Sequence, residues 1–396
     1  MKRSIAITSI ASFSPLGKTS SEVWNEYLTP QTLIVERMIG DNTHLVAPLS
    51  NSLAQDAQAL RDSDVKYKAL DNSVLYAILA SREAVKKAGW NNAQFGVNIG
   101  SSRGATQLFE KHHKEFLETG KTPTLTSPST TLGNISTWVA HDLKSKGPEL
   151  SHSITCSTAL HALLNGIAWL QAGMADKFLV GGSEAPLTPF TIAQMQALKI
   201  YAKTNEDFPC RALDLDKTKN SMVLGEGAAM ACLEIGEQKN ALGYVTGFGY
   251  ATDDLQHSIS ITDEAECFQK SMKMALQNLS PEEVDVVVMH APGTIKGDKS
   301  EYKAIQKVFT SSVRPLASGG KKLPMLTTNK WKVGHTFGAS GMLNIEMALL
   351  MMQHQQFIGV PYSNLFRVSN PERIIKNVLV NAVGFGGNAV SILLSL

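Results

Sequence analysis

Along the chain, short continuous apolar runs alternate with longer stretches whose apolar residues recur at helical spacing. The first run, Ser4 to Ile10, predicts a strand. Ser73 to Ala88 carries apolar residues three and four apart and stops at Gly89, which predicts a helix with a glycine end. Gly96 to Gly100 predicts a second strand, followed by Ser101-Ser102-Arg103-Gly104 and a polar helix through Glu118. Thr122 to Thr130, rich in Thr, Pro and Ser, reads as a loop. A long helix follows Cys156 and runs to about Gly173, and a buried strand, Phe178-Leu179-Val180, stops at Gly181-Gly182. Val223 to Ala229 then leads into a strand ending at Leu233-Glu234.

Around Gly243 to Thr252 the pattern restarts. A helix over 263–279, a strand over 284–289, a helix near Glu301 to Phe309, a glycine-containing loop, a helix over 342–353 and a closing strand over 389–394 follow in turn. Alternation of this kind points to α/β layers. The 396 residues exceed the usual size of one hydrophobic core, so two packed units are expected. No residue-level repeat and no low-complexity linker is present. The expected division is therefore two similar halves, 1–250 and 251–396, with a seam near Tyr250, a shared interface and the site between them.

Composition narrows the function classes. With 43% apolar and 18% charged residues the chain has the make-up of an ordinary globular protein. A net charge of +2 and the lack of any arginine-rich arm argue against nucleic acid as a partner. No apolar run approaches the ~20 residues of a membrane span. Met1-Lys2-Arg3 and the apolar residues after it superficially resemble a signal peptide. Thr8, Ser9, Ser12 and Ser14 interrupt that stretch, and a first strand leading into Pro15-Leu16-Gly17 is the better reading. The four cysteines, Cys156, Cys210, Cys232 and Cys267, lack metal-site or disulfide spacing, so no metal site is expected and a reducing cytoplasm fits.

Candidate chemistry centres on Cys156 and two distant histidines. A free cysteine is most often a small buried hydrophobe. Here, however, Cys156-Ser157-Thr158 places a thiol and small hydroxyls at a predicted helix start, where free N–H groups and the helix dipole favour a thiolate and can bind an oxyanion. His290 ends a strand-like run and is followed by Gly293, Gly297, Asp298 and Glu301, a turn and then a helix start. His335 lies five residues beyond Lys330 among glycines. Two imidazoles beside a thiol can polarise a substrate oxygen, so acyl transfer through a thioester is expected. His112-His113 reads as part of a solvated helix face, His161 as a packing or interface residue and Cys210 as structural.

In order along the chain, further motifs accompany these residues. They are Ser14-Pro15-Leu16-Gly17, then Arg211, Asp214 and Asp216 ahead of Gly225-Glu226-Gly227-Ala228, then Gly293-Thr294 after His290, and Gly384-Phe385-Gly386-Gly387 near the end. The set, from residue 5 to 388, resembles the condensing β-ketoacyl-ACP synthases of the thiolase superfamily. The resemblance implies an α/β thiolase-like fold with two duplicated halves in a five-layered αβαβα sandwich. It implies a decarboxylative Claisen condensation between an enzyme-bound acyl chain and malonyl-ACP, in fatty acid or polyketide chain elongation.

The same resemblance implies roles by position. Cys156 would be the nucleophile, with His290 and His335 supporting malonyl decarboxylation. Lys330 would lie near Glu301 as an orienting ion pair, with Asp298 supporting. The N–H groups of Cys156 and Phe385 would form the oxyanion hole, and Phe385 would gate the acyl pocket on the flexible Gly384, Gly386 and Gly387. Thr294 would line the pantetheine arm. No bound cofactor is implied; substrates arrive on the phosphopantetheine of an acyl carrier protein. The expected assembly is a homodimer, or a heterodimer with a chain-length-factor-like homologue.

Three departures set the chain apart. Ala291-Pro292 replaces the usual Gly-Thr, Ser221 stands where a glycine is common in a lengthened segment, and Trp331 brings an indole near the second histidine. They favour a specialised polyketide or polyene enzyme, with aryl polyene systems as one home. Two alternatives stand beside this reading. A non-catalytic chain-length factor would normally have lost the cysteine. A degradative thiolase needs a second reactive cysteine late in the chain, and none follows Cys267.

Overall fold

The computed structural model describes residues 4–91, 93–132, 134–203, 206–254, 261–310, 323–362 and 374–396. Met1-Lys2-Arg3, the charged start weighed above, lies outside them. In the first half, β1 (Ile5–Phe13), α1 (Asn72–Ala88), β2 (Gly96–Gly100), α2 (Asn134–Leu143), β3 (Glu149–Leu150), α3 (Thr158–Gln171), β4 (Lys177–Glu184) and β5 (Gly227–Ile235) follow one another. In the second half the same order returns as β6 (Gly243–Thr252), α4 (Glu266–Ala275), β7 (Val286–Val288), α5 (Ile295–Thr310), β8 (Met325–Thr327), α6 (Ser340–His354), β9 (Asn377–Val383) and β10 (Asn388–Ser395).

These ten strands form one hydrogen-bonded array, β8-β7-β9-β10-β6-β1-β5-β4-β2-β3, beside a separate three-stranded sheet of Val35–Ile39, Asn42–Ala47 and Leu224–Gly225. Outward from the centre, each half repeats the same pairing: antiparallel, antiparallel, parallel, parallel. The halves meet where β1 runs antiparallel to β6, with Ile5 opposite Val245 and Ile7 opposite Gly243. Tyr250 falls inside β6 rather than between elements.

Short apolar runs become strands here because both of their faces are buried. Phe178 and Val180 of β4 enter the central core with Leu163 and Ile167 of α3, whereas Leu179 between them enters an outer core with Leu75 and Ile78 of α1. Val286 and Val288 of β7 likewise face the centre, and Val287 meets Phe268, Met272 and Ile305 beneath α4 and α5. Helices α3 and α6 touch one another between the two half-sheets, and the outer helices cover the far faces. The result is an αβαβα arrangement. Every residue of α6 from Ser340 to Met352 is buried, so this helix has no solvent stripe.

Some elements depart from the hydrophobic pattern. The stretch read as a loop over 122–130 contains a five-residue helix, Thr126–Thr130. Its hydroxyls bond back along the chain, Thr130 Oγ1 to the Thr126 carbonyl at 2.7 Å and Thr131 Oγ1 to that of Ser127 at 2.8 Å. Strand β4 does not stop at Gly181-Gly182 but continues to Glu184. A side chain at Gly182 would lie 2.4 Å from the Gly338 carbonyl, so the glycine admits the neighbouring loop and does not end the strand. Helix α5 starts six residues before Glu301. Asp298 and Glu301 therefore sit nearly one turn apart on the same helical face.

Candidate active site

Cys156 sits in the turn between β3 and α3. Thr155 before it takes a left-handed φ of 46°, unusual for a β-branched residue. The turn is held by hydroxyls: Thr158 Oγ1 donates to the Thr155 carbonyl at 2.5 Å and accepts the Ile154 N–H at 2.9 Å, and Ser157 Oγ donates to the Ile154 carbonyl at 2.9 Å. Ser157 Oγ also reaches Asn388 Oδ1 at 2.8 Å, and the same oxygen accepts the Gly384 N–H at 3.2 Å. Asn388 thus fastens the Cys156 turn to the Gly384-Phe385 loop. At Gly384 a Cβ would fall 1.7 Å from Thr155 Oγ1, so only glycine lets these loops meet.

The thiol borders a cavity of about 180 Å³, whose walls also include His290, Thr294, Glu301, His335, Gly384 and Phe385. The two imidazole rings lie 5.2 Å apart between centroids and nearly perpendicular, at 85°. Both histidines are buried, and among the described residues the Nδ1 of each lacks a hydrogen-bond partner. Burial, reinforced by the Lys330 charge, pulls His290 down to about 3. Burial, His290 and Lys330 hold His335 well below the ordinary imidazole range. Both rings are therefore neutral at pH 7, each with one donor and one acceptor nitrogen.

Helix α5 shapes the turn after His290. The Glu301 carboxylate accepts the N–H groups of His290 and Ala291, each at 2.9 Å, and the Asn381 amide at 3.2 Å. Asp298 accepts the Gly293 N–H at 3.1 Å, the Leu213 N–H at 2.9 Å and the Lys217 ammonium at 2.5 Å. These acids fix a turn in which Ala291 has a φ of 27° and Gly293 one of 89°. Ser221 joins it: its N–H and its hydroxyl both donate to the Gly293 carbonyl at 2.9 Å. Pro292 lines the cavity.

Two expectations are corrected. Lys330 does not pair with Glu301: its Nζ donates to Asn329 Oδ1 at 3.1 Å and Asn344 Oδ1 at 3.4 Å. Both Glu301 oxygens are already engaged by backbone N–H groups, so the carboxylate acts on the lysine only at longer range. The second concerns the thiol, expected to be a thiolate at its helix start. Burial, with Glu184 adding to it, pushes Cys156 up to about 12 against the pull of Arg103 and Lys330. Relative to the usual 9.0, that is on the order of 4 kcal/mol against ionisation. A helix N-terminus returns at most ~2 kcal/mol, so the resting nucleophile is a thiol.

Other residues fall where side-chain packing sends them. The Trp331 indole leaves the cavity and packs edge-on against Phe208 in the outer core, 2% exposed. Asp298 and Lys330 are fully buried and do not line the cavity, and neither does the partly exposed Gly386, whose φ is 94°. Pattern reading missed the cavity's apolar lining, Ile200, Met222, Ile261, Phe268 and Phe337. It also missed Glu184, whose buried carboxylate accepts the N–H groups of Ser102, Arg103 and Gly338 and the Ser101 hydroxyl at 2.8–2.9 Å. Only the strand-ending glutamate after two glycines marked it. Among the described residues, no group of three His, Cys, Asp or Glu side chains could hold a metal ion, and no helix is long and apolar enough to cross a membrane.

Comparison with known proteins places this arrangement. The N-terminal domain of beta-ketoacyl synthase matches residues 2–239, and the C-terminal domain matches residues 242–361. A 3-oxoacyl-[acyl-carrier-protein] synthase 2 from Coxiella burnetii is 28% identical over 426 residues, covering 100% of this chain and 99% of the relative. In fold, the chain is similar to a type II polyketide ketosynthase solved with its acyl-carrier protein, AntDE:AntF (TM-score 0.84, 19% identity, 100% of both chains). It is also similar to the ketosynthase ApeO in complex with its chain length factor ApeC from Xenorhabdus doucetiae (TM-score 0.79, 19% identity, 100% of this chain and 98% of that one). With the two family domains consecutive along residues 2–361 and the thiolase-like topology in both halves, this chain belongs to the beta-ketoacyl synthase family.

Proposed function

We infer that the protein is a β-ketoacyl-ACP synthase, an acyltransferase that joins an enzyme-bound acyl chain to malonyl-ACP with loss of carbon dioxide. The observation that carries this reading is the thiol of Cys156 on the same small cavity as two neutral imidazoles with unbonded nitrogens. In the first step the Cys156 sulfur attacks the thioester carbonyl of an acyl-phosphopantetheine and passes its proton to a neighbouring base. The carrier thiol leaves, and the acyl group remains on sulfur. The N–H groups of Cys156 and Phe385 are assigned to the oxyanion, a donor pair of which each member is typically worth ~10²–10³ in rate.

In the second step His290 and His335 donate N–H to the malonyl thioester oxygen. The carboxylate departs as carbon dioxide, and its electron pair becomes the enolate. The enolate carbon then attacks the Cys156 thioester, and the sulfur leaves. Neutral rings suit this step, because a donor is needed and a charge is not. Glu301 and Asp298 are positioning residues that hold the His290 turn. Thr294 is assigned to the pantetheine arm, and Phe385, between Gly384 and Gly386, to a gate over the acyl pocket. The nucleophile thus comes from the half before residue 250 and both histidines from the half after it.

The substrates are proposed to arrive on the phosphopantetheine of an acyl carrier protein, with no further cofactor, in the cytoplasm. The assembly is proposed to be a dimer, either of two copies or with a chain-length-factor-like sister, as in the ApeO–ApeC pair. Pro292 at the cavity wall, and Ser221 bonded behind it to the Gly293 carbonyl, support a specialised polyketide or polyene substrate over general fatty acid elongation. Incubation with acyl-ACP followed by peptide mass spectrometry tests the reading. Acylation on Cys156, with product appearing after malonyl-ACP is added, is the expected result. An unmodified protein, alone and with a sister subunit, would establish the scaffold alternative.

A further inference from the structure

Lys330 and Lys332 stand two residues apart, and both are essentially enclosed, at 1% and 0% exposure. Their partners differ in kind. Lys332 Nζ has the Glu26 carboxylate at 2.9 Å, as well as the Thr29 carbonyl at 2.9 Å. Lys330 Nζ has no carboxylate within ion-pair distance among the described residues; Asp298 is taken by Lys217 and Glu301 by backbone N–H groups. Its partners are two amide oxygens, Asn329 Oδ1 and Asn344 Oδ1. The other end of Asn344 donates from Nδ2 to the Met289 carbonyl at 3.4 Å, immediately before His290. That bond turns the Asn344 oxygen toward the lysine.

A carboxylate beside a buried amine locks it as a cation, whereas a neutral amide oxygen accepts an N–H from either protonation state. We propose that Asn344 is a positioning residue that holds Lys330 in place without fixing its charge, so that the lysine changes protonation state in the working pH range and thereby sets how readily Cys156 ionises. The proposal rests on the reading of Cys156 as nucleophile. Burial draws Lys330 down to about 8, while Cys210, Glu301, Cys156 and Asp298 pull the other way. These groups face it from the loop at 210, from α5 and from the turn before α3, and His290 and His335 feel its charge from the remaining sides. Both imidazoles stay neutral through this range, and burial pushes the Cys210 thiol up to about 12, leaving it silent. Burial also pushes Glu301, which acts on Lys330, and Glu184, which acts on Cys156, up to about 7, below the lysine. The Lys330→Met profile separates their titration from that of Lys330.

The consequence has a definite sign. While Lys330 is charged it favours the Cys156 thiolate; as the amine loses its proton that support disappears. Alkylation of Cys156 by iodoacetamide should therefore accelerate about tenfold per pH unit, flatten into a shoulder near pH 8, and then resume. Asn344→Glu should move the shoulder upward by one pH unit or more, Asn344→Gln should keep it, and Lys330→Met should erase it. The full chain is used, with thermal unfolding as a check that each variant is folded. A merely structural role for Asn344 would change the rate at every pH without changing the profile's shape, and that result overturns the proposal. So does a wild-type profile without a shoulder. If Asn344→Glu does not fold, the wild-type and Lys330→Met profiles decide. Alkylation needs no acyl-ACP, so failure of the synthase reading would register separately, as absent acylation of Cys156.

Discussion

The turn carrying Cys156 and the turn carrying His335 occupy the same place in the two halves, each between the third strand and the third helix of its half. They are held by opposite means. Neutral hydroxyls of Ser157 and Thr158 close the first, leaving the thiol in apolar surroundings with Met222, Leu224 and Phe337. A buried cation anchors the second: Lys332 reaches back to Glu26 and Thr29, and the His335 backbone N–H donates to the Val223 carbonyl at 2.6 Å. Around the neighbouring His290 turn, Asp298 takes Lys217 as its partner. One topology therefore supplies two positions, and the side chains decide that one presents a buried thiol and the other a rigid polar frame.

That division can be broken at either end. Cys156→Ala should reduce condensation by at least about 10³-fold while leaving the unfolding transition in place; retained elongation with defined acyl-ACPs would contradict it. Lys217→Met should leave Asp298 buried and unpaired and cost ~3–5 kcal/mol in denaturant unfolding. Adding Asp298→Asn should recover part of that loss. A single variant that unfolds like the wild type would remove the ion pair from the frame. His335→Ala should slow malonyl decarboxylation by ~10²–10³ and acyl loading much less. Single-turnover measurement of both steps separates the two, and equal losses would make the ring a shared structural element.

The smallest effect concerns pH. His290 is held at about 3 in the folded protein, so between its unfolded value near 6.5 and that figure the unfolded chain binds the extra proton. The His290 contribution to stability is full above pH ~6.5 and falls as pH drops, by about 2 kcal/mol between pH 6.5 and 5, while the buried Glu184, Glu301 and Glu346, each pushed up to about 7, act in the opposite direction. His290→Asn should flatten this slope in unfolding curves taken across that range. An unchanged slope would assign the acid sensitivity elsewhere.

Much of the site was legible because its chemistry is local. A thiol followed by hydroxyls before an apolar helix, and histidines followed by glycines and acids at fixed offsets, need no knowledge of distant strands. The Lys330–Glu301 pair failed for the opposite reason. Helix α5 points both Glu301 oxygens at the His290 turn, and α6 brings Asn344 to the lysine from 14 residues away. The thiolate expected at Cys156 failed because a helix start was visible in the sequence and the depth of burial was not. Trp331 shows the same limit: its position beside His335 was plain, but the direction of its ring was set by Phe208.

By itself, then, the sequence determined the alternation of buried strands and helices, the place where the pattern restarts, and the thiol and imidazoles proposed as nucleophile and hydrogen-bond donors. Hydrophobic periodicity and short-range turn chemistry are written along the chain and can be read there. Only the tertiary structure decided which charges became partners, which thiol and imidazoles share a cavity, and how far each is removed from water. Those properties depend on separations of a few ångströms between segments that packing, not sequence distance, brings together.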